Sequence, residues 1–168
     1  ITASFHHFGS LLFTAKLYFM DRLERFVTHG KDFQDVLSTI PEAHRYTMVD
    51  GGWSAAYVVH HMADGELHFA SRYLHAIGDV SPNIQPFDEE AYPERVNYAK
   101  RKVKTSLAAL VGIRALALEV LTNATDADWA KVSNHPELGP VTLSELFEKA
   151  DGHIVGHTQQ LRDIAAHF

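Results

Sequence analysis

Apolar residues recur along this chain at helical spacing, and four segments carry the pattern. Leu12, Ala15, Phe19, Leu23 and Phe26 share one stripe and predict a first helix over about Ser10 to His29, with Gly30 as its stop. Lys31 to Asp50 reads as a continuation or short helix followed by a turn that ends in Asp50-Gly51-Gly52. Ser54 is a good N-cap for a second helix, and Trp53 before it can staple onto Val58. That helix runs through Val59, Met62, Phe69, Tyr73 and Ile77 to Gly78. Residues 78–93 hold three prolines and no periodicity, which predicts a long connection. Val96, Val103, Leu107, Leu110, Ala117 and Leu121 predict a third helix from about Glu94 to Asn123. Asp126 to Gly139 reads as loop with a short turn near Trp129. Thr142-Leu-Ser-Glu145 has capping-box spacing and opens a last helix that continues to about Ala166.

Helices with one apolar stripe each must bury those stripes against one another, so the expected fold is an all-α four-helix bundle. With 168 residues and no linker or internal repeat, residues 1–168 are expected to form one domain. A second helix of about 24 residues spans roughly 36 Å, and a 16-residue connection can reach roughly 50 Å. Segment 78–93 can therefore cross the whole bundle, and helices two and three need not be antiparallel neighbours.

Composition narrows the function. The formal net charge of −6 argues against a duplex-binding surface, so no nucleic-acid partner is expected. The one basic cluster, Lys100, Arg101, Lys102 and Lys104, reads as a solvated helix face. No apolar stretch is read as membrane-spanning, so no membrane partner is expected. Leu11 to Met20 is interrupted by Lys16 and is not read as a signal peptide. The chain opens on Ile1, which is consistent with a trimmed start. The absence of cysteine excludes disulfides, thiolate ligands and a cysteine nucleophile, and fits a cytoplasmic location.

Histidine changes the picture, at twelve residues of 168. His153 and His157 are four apart, so on a helix both imidazoles can reach one ion at bonds of about 2.0–2.1 Å. In so histidine-rich a chain one such spacing would arise by chance. Both, however, fall inside the apolar arc of Leu143, Leu146, Ala150, Ile154, Leu161 and Ile164, where an unpaired polar group costs on the order of 1–3 kcal/mol. A metal satisfies both rings. Two core histidines bonded to side chains or water would do so as well.

The second helix offers His60, His61, His68 and His75 as a third ligand. His61, His68 and His75 follow one edge of the apolar face and His60 lies beyond the other, which favours His61 over His60 without deciding it. His68 and His75 read as boundary residues, and histidines 6, 7, 29, 44, 135 and 167 as loop or terminal positions. Glu66 and Arg114 stand where the wheel expects apolar residues, and are read either as a structural ion pair or as functional groups. Gln160 flanks His153 and is read either as a donor supporting the ligands or as simply exposed.

Three stretches in order resemble the DinB/YfiT-like superfamily. They are Gly51-Gly52-Trp53-Ser54 with Val58-Val59-His60-His61-Met62-Ala63-Asp64, then Gln85-Pro86-Phe87-Asp88-Glu89, then Gly139-Pro140-Val141-Thr142-Leu143 leading to His153 and His157. The resemblance implies an up-down-down-up bundle with the long connection crossing between helices two and three, a homodimer, and a divalent metal on His61, His153 and His157. It also implies a metal-dependent enzyme acting on a small-molecule substrate. The first expectation is an S-transferase using a low-molecular-weight thiol such as bacillithiol, mycothiol or glutathione; the alternatives are a hydrolase or a non-catalytic metal-binding stress protein. Zinc and nickel both suit imidazole. Glu66 is the candidate catalytic residue, for proton transfer or support of the ligands.

Overall fold

Ser54 caps the second helix as expected, its side-chain oxygen accepting from the Tyr57 N–H at 3.3 Å. Thr142 caps the last through a full capping box with Glu145. In a computed structural model, these signals belong to a chain ordered as α1 (Phe5–Thr39), α2 (Ala55–Gly78), α3 (Tyr92–Arg95), α4 (Val103–Thr122), α5 (Asp126–Trp129), β1 (Val132–His135), β2 (Gly139–Thr142) and α6 (Leu143–Ala165). The structure describes the backbone of residues 5–80 and 82–168 and the side chains of 22–80 and 82–168. Stripe positions Leu12, Ala15 and Phe19, with His6 and His7, lie outside the described side chains.

The four long helices, α1, α2, α4 and α6, form a bundle whose directions follow from side-chain pairs. Arg22 meets Ser144 and His29 meets Asp151, so α1 and α6 run the same way. His60 meets Ser106 and Glu66 meets Arg114, so α2 and α4 also run the same way. His61 reaches His157 while Gly65 lies against His153, which makes α2 and α6 antiparallel. The order is up-down-down-up, and the connection between α2 and α4 returns along the length of the bundle as expected.

Two apolar clusters fill the interior. One holds Phe26, Phe69, Tyr73, Leu121 and Phe147; the other holds Phe33, Leu37, Val59, Met62, Leu110 and Ile154. Between them a polar layer crosses the bundle: His29, Glu66, Arg114 and Asp151. Arg114 binds Glu66, donates to the Phe26 carbonyl at 2.6 Å and lies over the Phe26 ring. His29 Nδ1 lies 3.0 Å from Asp151.

Four sequence expectations are corrected. Gly30 does not end the first helix, which continues to Thr39; a Cβ at Gly30 would stand 2.8 Å from Arg114 Nε, so the glycine makes room for that guanidinium. The third long helix starts at Val103 rather than Glu94. Asn97 adopts a left-handed conformation, and the chain is diverted so that Tyr98 and Arg101 both bind Asp64. Asp126 to Gly139 holds α5 and one strand of a hairpin, with Val132 paired to Thr142 and Gly139 at φ +74°. Asn134 on β1 also exchanges backbone hydrogen bonds with Pro82 and Ile84, which ties the crossing connection to the hairpin. Finally, α4 is by length and composition apolar enough to cross a membrane. Here it packs along α2 and carries the buried Arg114.

Candidate metal centre

His61 lies in the second turn of α2, and His153 and His157 are one turn apart on α6. Because these helices cross antiparallel, the three rings converge. His61 Nε2 is 2.9 Å from His153 Nε2, and His157 Nε2 is 3.1 Å from the same atom. The approach depends on Gly65: a Cβ there would sit 3.3 Å from His153 Cε1 and press on the ring. Trp53 frames the cluster, edge-on to His61 at 5.1 Å and stacked along His157 at 6.4 Å.

The donor chemistry fits a cation. Burial, reinforced by the charge of His157, lowers the pKa of His61 to about 4, and burial lowers that of His153 to about 3. Burial also lowers His157, against the pull of its bond to Gln160. All three rings are neutral near pH 7. His157 Nδ1 donates to Gln160 Oε1 at 2.8 Å, which leaves its Nε2 with a lone pair facing His153. If His153 Nε2 carries a proton for His157, it cannot accept from His61. If it accepts from His61, two lone pairs face each other across the His157 contact. With His157 held in this tautomer, the two contacts at His153 Nε2 compete for one proton or one lone pair, whereas one cation accepts all three lone pairs. These atoms lie within 4.8 Å of one another and could hold a metal ion.

Glu89, on the connection, faces the cluster from the solvent side. Its Oε2 is 3.8 Å from His61 Nε2 and 3.9 Å from His153 Nε2. A cleft of about 330 Å³ opens beside it, lined by Phe69, Arg72, Phe87, Glu89, Lys149 and His153 among others.

The remaining candidates go elsewhere. His60, beyond the other edge of the apolar face, is fully buried against α4, with Nδ1 2.8 Å from Ser106 Oγ. His68 stacks on Phe87 and meets Tyr92, while His75 pairs with Asp79 at the surface. His29 is a mid-helix residue and His135 a strand residue that accepts from two hairpin N–H groups, so neither is a plain loop position. Glu66, the candidate catalytic residue, is bound to Arg114, and none of its contacts among the described residues reaches the three histidines. Gln160 is a ring partner of His157 rather than His153, and it accepts rather than donates. Sequence reasoning missed Glu89, Gly65 and the framing role of Trp53. Glu89 stands in the sequence only as a motif letter, Gly65 falls just past the quoted motif and Trp53 reads as a helix staple; their use at the centre depends on how α2, α6 and the connection meet.

Fold and site together define a four-helix bundle with a three-imidazole centre opening on a cleft. The chain belongs to the DinB superfamily, whose family model matches residues 25–161. A Bacillus mycoides protein named "Putative metal-dependent hydrolase" is 31% identical over 116 residues, 67% of this chain and 66% of its own length. "Putative metal-dependent hydrolase YfiT" of Bacillus subtilis is 28% identical over 116 residues, 67% of this chain and 65% of its own. The chain's match thus spans just under two thirds of these relatives. Among solved structures, YfiT from Bacillus subtilis superposes with a TM-score of 0.74 at 23% identity, covering 86% of each chain. A mycothiol-dependent maleylpyruvate isomerase superposes at 0.71 with 13% identity, covering 85% of this chain and 60% of its own. These two structures establish the likeness of fold.

Proposed function

We propose that this chain is a metal-dependent hydrolase of a small substrate, with His61, His153 and His157 holding one divalent ion, zinc or nickel. One observation carries the reading: three neutral imidazoles converge on a point that Glu89 and a ligand-sized cleft both face. Three protein ligands leave coordination positions open, and an ion so held supplies Lewis acidity and lowers the pKa of a nucleophile beside it. Glu89 is placed to take the proton from that nucleophile and return it to the leaving group. Trp53 and Phe87 shield the imidazoles, and Gln160 holds the His157 tautomer. Glu66 stays with Arg114 as a structural pair.

The relatives' names support hydrolysis, and so does the cleft, which is at the small end of ligand sites and suits one substrate rather than two. The second reading is S-transfer from a low-molecular-weight thiol to a small electrophile; the fold shared with a mycothiol-dependent isomerase favours it. Elemental analysis followed by two assays tests both. A panel of small activated esters and amides should be turned over only by metal-loaded protein. Conjugation of a thiol to a chlorodinitrobenzene without hydrolysis would replace the first reading by the second, and a protein that takes up no metal would end both.

A further inference from the structure

The cleft beside His153 contains a cation, Arg72, that forms no ion pair among the described residues. Arg72 lies on α2 about three turns beyond His61, and only 9% of it is exposed. Its Nη2 donates to the Gln85 carbonyl at 3.1 Å, while its Nε is buried with no acceptor among the described residues. By contrast, Arg101 and the buried Arg114 each close on a carboxylate, Asp64 and Glu66. Arg72 closes on none among the described residues. Its guanidinium is held against the Phe69 ring at 5.1 Å, which fixes the fork in place. Lys149, exposed on α6 one turn before His153, lines the same cleft. A buried guanidinium with unused donors is costly unless an anion meets it, and its planar fork matches a carboxylate.

We propose that this cleft seats a carboxylate of the substrate, gripped by the Arg72 fork with Lys149 adding charge, and that Phe69 and Phe87 flank the apolar body behind it. The reacting end then points toward His61, His153, His157 and Glu89. The inference rests on the reading of the three histidines as the reaction centre and names the class of molecule they act on. Glu89 and Glu137 also line the cleft and match its two cations in number. That balance suits a monoanion and disfavours a phosphate dianion.

Calorimetric titration of the full chain, metal-loaded and chelator-stripped, with benzoate, benzamide and inorganic phosphate tests this. Benzoate should bind both forms, and benzamide about tenfold more weakly or less, because it lacks the charge the fork reads. Arg72→Gln should weaken benzoate about tenfold or more, with Arg72→Lys intermediate. Lys149→Gln, at an exposed position that threatens no core packing, should weaken it about threefold. Should Arg72→Gln fail to fold, judged by its thermal melt, the other two variants carry the same test. Equal binding of benzoate and benzamide, tighter binding of phosphate, no benzoate binding, or benzoate affinity unmoved by these variants would each overturn the proposal. Benzoate that needs the metal and ignores Arg72→Gln would put the carboxylate on the ion, sinking this inference and sparing the metal reading. Arg72-dependent binding by a chain that takes up no metal would do the reverse.

Discussion

His61 Nε2 and His153 Nε2 stand 2.9 Å apart, closer than two nitrogens sharing a tetrahedral ion at bonds of about 2.0–2.1 Å, which would lie roughly 3.3–3.4 Å apart. The rings need to part by only about half an ångström to admit the ion. His157 is already at 3.1 Å from His153. The three rings thus stand close to the spacing that a shared ion requires, and the properties of the centre follow from what holds them.

If the three imidazoles hold the ion, loss of any one of them should release it. His61→Ala, His153→Ala and His157→Ala should each lower bound metal from about one per chain to well below half, because a structural scaffold with two imidazoles loses the chelate. His60→Ala should leave it unchanged. Elemental analysis after gel filtration reads this directly.

Gln160→Ala should leave metal binding possible but weaken it about 10–100-fold, since the residue that fixes the His157 tautomer is gone. Competition with a chromophoric chelator measures the shift.

Gly65→Ala should separate stability from binding. Replacing a mid-helix glycine stabilises by roughly 0.5–1 kcal/mol, so the metal-free melting temperature should hold or rise. The new Cβ would meet His153 Cε1 at 3.3 Å and turn the ring, so metal affinity should fall about tenfold. A fall in both would mean that the glycine serves packing alone.

Glu66→Gln and Arg114→Met should each destabilise the fold by about 3–5 kcal/mol in chemical denaturation, because each leaves a buried partner unpaired. Metal content should stay at about one per chain. Loss of the ion without loss of stability would instead return Glu66 to the centre.

Stability of the metal-free protein should fall in acid. His60, buried against α4, has its pKa lowered by burial to about 4 from 6.5, and His61 is lowered similarly. The unfolded chain takes up protons below pH 6.5 that the folded chain refuses until about pH 4. Their contribution is complete above pH 6.5, declines through that window and is gone below it. His60→Gln should flatten the profile of denaturation midpoints between pH 7.5 and 4.5.

Much of this molecule was legible in its sequence because the signals are local. Ser54 and the Thr142–Glu145 box mark helix starts within four residues, and His153 with His157 read as one face of one turn. The choice of His61 over His60 needed the family resemblance, since both are buried and only the crossing of α2 with α6 separates them. The features that escaped depend on distant partners. Asn97 looks like an ordinary helix residue until Tyr98 and Arg101 are seen on Asp64. Gly30 looks like a stop until Arg114 is seen across it. Glu89 lies on an aperiodic connection, and nothing within a few residues of it indicates that it faces two imidazoles.

X-ray absorption spectroscopy of the zinc- or nickel-loaded protein tests the central claim most directly. Three imidazole nitrogens at about 2.0–2.1 Å, falling to two in His61→Ala, is the result expected. A shell built from carboxylate oxygens, or one unchanged by His61→Ala, would contradict it.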